Sequence, residues 1–563
     1  MSAFPKYKAS EIVEIENRSW PARRITAPPV WVPVDLRDGN QAFARPMNVE
    51  TKIRYFRMLC EIGFREIEVA YPAASTEEFE FVRRLIGEGL IPDDVRINVF
   101  TAARKDLIDR TIASIEGVKQ ATMHCYIATS ELHRTFVFGK TPEEIIRIAA
   151  DGTRMIAEAV EGAGMRDRVR YEFSPEEFSD SDLGFIVDLG EAVRDAWKPR
   201  GKRDFILNLP ATVERRPPYE YADMIEAFCR RYSGMETTTV SVHTHNDQGC
   251  AVAAAEMAVL AGAERVEGTL AGHGERTGNM DIITFALNLK SRGIEPGLDF
   301  SNLPEIAAFI EEVSGIQINP RTPYTGELVF TAFSGTHQDA IRKGMARRAE
   351  ISEHFRQGWK MPYLHIDPVD IGRNYDGLIR INSQSGKGGV AYVLESVYGI
   401  MIPKAMQPMV AKAVQREAEA TGSELTPAEV YRIFREKIME PADAAVRIAG
   451  FRLQRPVPGE PDKTGVELEL KSGGVLYAVS GTGGGPIEAA VAALHECRAV
   501  PEFQVEEYSE HALGRGASAQ AIAFVGIQAG GGGATIYGVG TDRNINLAAI
   551  RAIVNAVNHS KEK

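Results

Sequence analysis

Between Trp31 and about Lys290 one pattern recurs eight times: a short β-branched or apolar run, a break at Gly, Pro, Ser or Asn, then a longer stretch with helical spacing. The strand candidates are Trp31 to Leu36, Glu66 to Ala70, Arg96 to Thr101, Thr122 to Ile127, Val169 to Phe173, Phe205 to Leu209, Thr238 to His243 and Arg265 to Leu270. Eight strand-helix units over roughly 250 residues have the size and rhythm of a (β/α)8 barrel. An open doubly wound sheet is the alternative, but eight units without an edge-strand signal argue against it. The expected fold is therefore α/β, a TIM barrel over residues 1–315, a helical and extended linker region over 316–440, and a C-terminal α+β domain over 441–563.

A chain of 563 residues does exceed one ordinary core. Residues 316–440 read as alternating short helical and extended pieces, including Asn382 to Tyr392 with Gly386-Lys387-Gly388-Gly389. That glycine run reads as a turn and not a phosphate loop, because Ile381 stands five positions before Gly386 and no Ser or Thr follows Lys387. From about Ala445 two similar halves follow, each read as strand, strand, Gly-rich turn and apolar helix, at Gly481 to Leu494 and Gly538 to Val557. The glycines Gly481, Gly483, Gly484, Gly485 and Gly530 to Gly533 are expected to permit positive φ in turns rather than to cradle an anion.

Charge narrows the function classes. The 65 basic against 77 acidic residues give a net charge of -12, which disfavours nucleic acid and anionic membranes as partners. The Arg23-Arg24 and Arg215-Arg216 pairs and the short cluster from Lys198 to Arg203 read as solvated surface. Five scattered thiols, Cys60, Cys125, Cys229, Cys250 and Cys497, form no C-x-x-C pair and argue against a disulfide framework or a structural zinc site. Met1 to Ser19 lacks an apolar core, so neither a signal peptide nor a membrane span is expected, and the default location is the cytoplasm.

In a barrel of this kind chemistry sits on the loops that follow each strand's C-terminal end. His243 and His245 are spaced i, i+2 where the seventh strand ends, so an extended backbone turns both imidazoles to one side. An H-x-H pair is by itself a modest signal. Asp38 at the end of strand one, next to strand eight in a closed ring, and Asn279 in the last loop strengthen it. Two imidazoles with carboxylate and amide oxygens suit Mg²⁺ or Mn²⁺ and also accept Zn²⁺ or Co²⁺. Two octahedral positions would remain for a 2-oxo acid, whose carbonyl the cation would polarise.

Several motifs carry a resemblance: Leu36-Arg37-Asp38-Gly39-Asn40-Gln41, Asn208-Leu209-Pro210-Ala211-Thr212-Val213-Glu214, His243-Thr244-His245-Asn246-Asp247 and Gly274-Glu275-Arg276-Thr277-Gly278-Asn279. Phe333-Ser334-Gly335-Thr336-His337-Gln338-Asp339 and Pro362-Tyr363-Leu364 continue it. Together, and in this order, they resemble the signatures of the 2-isopropylmalate synthases from about residue 25 to the C-terminus. The resemblance implies condensation of acetyl-coenzyme A with 3-methyl-2-oxobutanoate, a homodimer whose linker reaches the neighbouring active site, and leucine as feedback inhibitor. It implies Asp38, His243, His245 and Asn279 as metal ligands, with K⁺ a further candidate ion. Arg37 would stabilise charge developing on the keto oxygen and Thr212 would bind the oxo-acid carboxylate. Glu176, with Glu172 as its rival, would orient the catalytic groups. His337 would be the general base, with Tyr363 as its hydrogen-bond partner or acid. Ile487, Tyr508, His511 and Ala512 resemble parts of the family's leucine pocket.

The chain departs from the family pattern at two barrel-top loops. Gly272-His273-Gly274-Glu275-Arg276 replaces Gly-Asn-Gly-Glu-Arg, and Tyr71-Pro72-Ala73-Ala74-Ser75 replaces Phe-Pro-Ser-Ala-Ser. These leave open the preferred oxo acid and a place for His273 in or behind the coordination shell. Pyruvate or 2-oxoglutarate as the oxo acid, as in citramalate or homocitrate synthases, is the nearest alternative reading. A metal-dependent barrel lyase or carboxyltransferase and a non-enzymatic amino-acid sensor are the others.

Overall fold

The computed structural model describes residues 12–332, 334–373, 387–421, 424–454, 462–514, 519–530 and 534–561. They form two compact units, one running up to Val329 with Pro368–Arg373, the other comprising Phe330–Asp367 and the chain from residue 374 onward.

In the first unit strands and helices alternate. They run β1 (Val30–Pro33), α1 (Val49–Ile62), β2 (Glu66–Ala70), α2 (Thr76–Gly87), β3 (Arg96–Ala102), α3 (Lys105–Ser114), β4 (Ala121–Ala128) and α4 (Pro142–Gly162). The second half continues with β5 (Val169–Glu176), α5 (Leu183–Trp197), β6 (Phe205–Ala211), α6 (Pro218–Arg231), β7 (Thr238–Thr244), α7 (Ala251–Ala261), β8 (Arg265–Gly268) and α8 (Ile282–Ser291), after which α9 (Leu303–Ser314) follows. All eight strands are parallel, in the order β1-β8-β7-β6-β5-β4-β3-β2. Seven of the eight neighbouring pairs around this ring share a backbone ladder; β1 and β2 do not.

Local chemistry explains these elements. Strands covered on both sides read as nearly unbroken apolar runs, as Phe205 to Ala211 does, with every residue buried. The longest barrel helix, α4, starts at a capping box: Thr141 Oγ1 accepts from the Glu144 amide while the Glu144 carboxylate accepts from the Thr141 amide, and Pro142 fills the first helical position. Asn48, Ser75 and Asp182 cap α1, α2 and α5 in the same sense.

Two strands stop short of their expected ends, and both differences build the site. β1 stops at Pro33, because Asp35–Gly39 closes into a wide π-helical turn in which the Asp38 and Gly39 amides both donate to the Val34 carbonyl. β8 stops at Gly268, after which Thr269 pairs only with Asp281. The barrel interior is also more polar than a typical layered aliphatic filling. Glu68, Asn98, His124, Glu172, Asn208, Arg265 and Glu267 are all buried in it.

The second unit begins with α10 (Gly335–Ala346), α11 (Arg348–Phe355), α12 (Lys387–Tyr398), α13 (Gln407–Thr421) and α14 (Pro427–Ile433). The expected alternation with extended pieces is corrected here: among the described residues of 316–440 nothing longer than an isolated bridge such as Met361–Leu364 is extended. Lys387, Gly388 and Gly389 open α12 instead of forming a turn, while Gly386 lies outside the described residues.

The C-terminal part holds β9 (Val446–Gln454), β10 (Thr464–Ser472), β11 (Val475–Gly483) and α15 (Pro486–His495). These are followed by β12 (Phe503–Leu513), β13 (Gln520–Ala529), β14 (Ile536–Asp542) and α16 (Ile545–Lys561). Each half has three antiparallel strands where two were expected, in the orders β11-β10-β9 and β12-β13-β14. Strand β12 is mostly exposed and carries Glu506, Glu507 and Glu510, so it lacks the apolar alternation of a half-buried strand. The glycines of these halves act by size. A Cβ on Gly481 would sit 2.3 Å from the Ala493 amide nitrogen, and one on Gly538 2.2 Å from that of Ala556, so each glycine lets a helix backbone rest on its strand. Of the expected positive-φ glycines only Gly530 has one, at +71°; Gly531 to Gly533 lie outside the described residues. Among the described residues no helix is long and apolar enough to cross a membrane.

Candidate metal centre and active site

The wide turn after β1 and the ends of β7 and β8 bring Asp38, His243, His245 and Asn279 together. The Nε2 atoms of His243 and His245 face each other at 3.3 Å, with the rings stacked at 5.2 Å, and His243 Nε2 lies 3.7 Å from Asp38 Oδ2. Two imidazole nitrogens that close must share either a proton or a cation. Asn279 Nδ2 donates to Asp38 Oδ2 at 2.8 Å and to the His273 carbonyl at 2.9 Å, which leaves the buried Asn279 Oδ1 without a partner. A carboxylate, two imidazoles and an orphaned amide oxygen form a mixed N/O donor set that fits a divalent cation.

The candidate ligands are held from behind. His243 Nδ1 meets Glu267 Oε2 at 2.8 Å, which leaves Nε2 as the free lone pair. The His245 and Asn279 backbones pair as an antiparallel bridge, and the Met280 amide donates to the Thr244 carbonyl. Gly278 makes this crossing feasible: its φ is +92° and a Cβ would fall 1.8 Å from the Gly272 carbonyl oxygen. Burial alone would raise the Asp38 carboxyl pKa, but Arg37 and then the two imidazoles hold it near 2. Burial, followed by the neighbouring His243, pushes His245 down to about 3, which keeps its ring neutral with one nitrogen lone pair free.

Arg37 is locked in place. Its Nη1 donates to Asp38 Oδ1 and its Nε to Glu68 Oε1, both at 2.6 Å, and its guanidinium lies 4.3 Å from the Phe100 ring centroid. Burial opposes its charge, yet Glu68 and Asp38 more than restore it. Glu176 is half-buried at the end of β5, where burial and then Glu177 raise its carboxyl above the usual range. Thr212 Oγ1 accepts from the Glu177 amide at 2.8 Å, so the hydroxyl proton stays available for donation. Glu172 lies deeper, fully buried in the barrel, where Arg265 grips both carboxylate oxygens at 2.8 and 2.9 Å. A solvated loop carboxylate is thereby excluded for Glu172.

His273 packs edge-on against Phe43 at 5.4 Å, and its buried Nε2 has no partner. Its contribution is the main-chain carbonyl, which receives Asn279 Nδ2 and Thr269 Oγ1. In the second unit His337, on α10, stacks on Tyr363 with ring centroids 3.9 Å apart; Tyr363 holds φ +62° and is largely exposed. Phe333 of the same motif lies outside the described residues. Of the four regulatory candidates, Ile487 is in the first turn of α15, and Tyr508, His511 and Ala512 lie on β12. Tyr508 donates to Glu510, His511 Nε2 lies 3.2 Å from both the Met401 amide nitrogen and the Gly399 carbonyl oxygen, and Ala512 is exposed rather than core.

The sequence reading missed most of the buried polar chain under the site: Glu68 to His124 at 2.6 Å, His124 to Ser174 at 2.7 Å, Asn208 to Ser174 and Glu267 at 3.0 and 3.1 Å, and Arg265 to Glu267 at 2.7 Å. A signal was present. Glu66 and Glu68, and Arg265 and Glu267, are i, i+2 pairs inside otherwise apolar strand segments, and such positions face the barrel axis.

Residues 29–310 match a family model described as HMGL-like, and residues 327–395 match an alpha-isopropylmalate synthase post-catalytic domain-like model. Residues 424–561 match the LeuA allosteric (dimerisation) domain. Among solved structures, an HMG-CoA lyase from Bacillus subtilis aligns with 53% of this chain and 97% of its own at 17% identity and a TM-score of 0.43. The 2-isopropylmalate synthase of Ralstonia nicotianae is 46% identical over 98% of this chain and 94% of its own length. Those of Rhodospirillum rubrum and Clostridium acetobutylicum are 44% and 42% identical, covering 99% and 100% of both chains. With that identity sustained from end to end across all three matched modules, the chain belongs to the 2-isopropylmalate synthase family.

Proposed function

We propose that the barrel-top site condenses acetyl-coenzyme A with 3-methyl-2-oxobutanoate, giving 2-isopropylmalate and free coenzyme A. The observation that carries this reading is the convergence of Asp38, His243, His245 and the orphaned Asn279 oxygen directly beside a locked guanidinium. These four residues would hold Mg²⁺, with Mn²⁺, Zn²⁺ or Co²⁺ as substitutes and K⁺ as a further candidate ion. When bound, the cation would supply Lewis-acid polarisation of the keto group.

The chain's own groups do the rest. Thr212 donates its free hydroxyl proton to the oxo-acid carboxylate. Arg37 neutralises the negative charge that grows on the keto oxygen as the bond forms, and being fixed by Glu68 it needs no reorganisation to do so. His337, stacked on Tyr363 and supplied by the partner subunit of a dimer, takes a proton from the acetyl methyl group. The resulting carbon attacks the keto carbon, the former keto oxygen gains a proton, and water then cleaves the thioester C–S bond with departure of the thiol. Glu176, raised by burial, accepts or returns a proton on the barrel side. Leucine acts as feedback inhibitor through the C-terminal domain, and the five free thiols suit a reducing cytoplasm.

Thiol release from acetyl-coenzyme A with 3-methyl-2-oxobutanoate, pyruvate, 2-oxobutanoate and 2-oxoglutarate tests the assignment. Preference for the first acid, abolished by chelator and by His243→Ala, is expected. Preference for another acid would move the protein to a sister synthase, and no release with any acid would overturn the reading.

A further inference from the structure

The opposite end of the barrel holds a second charged cavity. It has a volume of about 590 Å³ and is walled by residues at the N-terminal ends of the strands. We propose that this barrel floor is a binding site for a small multivalent oxyanion, held by Arg96 and Arg203 with Arg170 beside them.

The argument is one of charge balance. Five basic side chains, at Arg65, Arg96, Arg170, Lys202 and Arg203, face three acidic ones, at Glu66, Asp94 and Glu264. Arg265 also lines the cavity; it shares the floor's Glu66 with Arg170, and its other carboxylate partners, Glu172 and Glu267, lie inside the barrel. Arg65 pairs with Asp94, Lys202 with Glu264, and Arg170 with Glu66, so every carboxylate on the floor is already engaged. Arg96 and Arg203 have no carboxylate partner among the described residues. The excess of two positive charges occurs in a chain whose net charge is -12, so it does not follow from overall composition.

Arg96 is the informative residue. Its Nη1 donates to the carbonyls of Ala121 at 2.7 Å and Arg168 at 3.1 Å, and its Nη2 to Gln120 Oε1 at 3.0 Å; all three acceptors are neutral. These contacts fix the guanidinium plane without compensating its charge. Burial and then the neighbouring Arg170 push its pKa down to about 10, as expected of a guanidinium short of a counter-ion. Nε and the second Nη2 proton remain for a ligand, and an oxyanion accepts that fork in a bidentate way. Arg203 is exposed and lines the same cavity.

The test is calorimetric titration of inorganic phosphate into the full-length protein at constant ionic strength, with chloride as the matched control. Saturable binding is expected, weakened about tenfold in Arg203→Ala and in Arg96→Gln, the loss of one charge-assisted contact in each. Arg292→Ala, which removes an exposed arginine paired with Glu256, should leave it unchanged. Arg203 is the deciding position, because its side chain supports nothing else in the fold. Absence of saturable binding, or phosphate affinity identical in wild type and Arg203→Ala, would overturn the proposal. A tricarboxylate in place of phosphate then tells a carboxylate ligand from a phosphoryl one: whichever loses more affinity on Arg203→Ala is the class the site prefers. The outcome is independent of the metal centre, since none of these residues belongs to it.

Discussion

Glu267 shows how much of this site lies behind the residues that would touch a substrate. It fixes the orientation of His243 through Nδ1 and is itself held by Arg265 and Asn208. Replacing it by Gln keeps the shape and removes the charge, so metal affinity should fall about 10- to 100-fold. Equilibrium titration of metal-stripped protein with Mn²⁺ measures this, and unchanged affinity with an intact circular dichroism spectrum would show that His243 is held by other contacts. Asp35 gives a second, opposite kind of prediction. Burial raises its carboxyl to about 7 despite hydrogen bonds from Tyr55 and the Leu270 amide. The folded state then holds a proton that the unfolded chain releases near the ordinary value of 3.8, so this group costs stability progressively as pH rises from about 4 to 7. The full cost, reached above about pH 7, is on the order of 4 kcal/mol. Asp35→Asn should therefore gain on wild type as pH climbs through that window; a difference in melting temperature that does not vary with pH would refute it. The juxtaposition of His243 and His245 was legible from their i, i+2 spacing. Glu267 carried only the weaker signal of its i, i+2 pairing with Arg265, because an acidic residue between apolar neighbours in a strand taken singly has the same sequence appearance whether it faces solvent or the barrel axis.

At the scale of the element, the eight strands were readable because buried parallel strands are apolar throughout, and their expected starts match the structure to within one residue. Their ends were less so. The π-helical turn at Asp35–Gly39 has no sequence mark that separates it from two more residues of strand, and β12 is too rich in glutamate to stand out. The linker misreading has a similar origin: Gly388 and Gly389 argue against a helix locally, yet α12 forms around the buried Val390, Val393 and Leu394. The glycine contacts of the C-terminal halves are directly testable. Gly538→Ala puts a methyl group into the backbone of α16 and should destabilise by about 1–3 kcal/mol. Gly87→Ala, at a helix end with nothing within 4 Å, should be neutral or stabilise by up to about 1 kcal/mol. Chemical denaturation of both variants separates a packing role from a general effect of losing glycine, and equal behaviour would remove the packing argument.

For the whole molecule, the match of residues 424–561 to an allosteric dimerisation domain implies self-association and a regulatory site. Light scattering should give the mass of two chains. Leucine should lower the rate of thiol release in wild type but not in Tyr508→Ala, with the rate in the absence of leucine preserved; inhibition surviving in the variant would detach β12 from the effect. The ring of strands carries a different consequence. Between β1 and β2 the barrel has a seam without amide-to-carbonyl rungs, spanned at its upper end by the Arg37 to Glu68 pair. Asp38 sits on one lip of that seam. The place where the wall lacks backbone rungs is thus the place where the Asp38 carboxylate is held by the side chains of Arg37 and Asn279. The guanidinium proposed to neutralise the reaction's charge also serves as the fastener, so loosening it would be felt first as a change in the shape of the barrel's mouth.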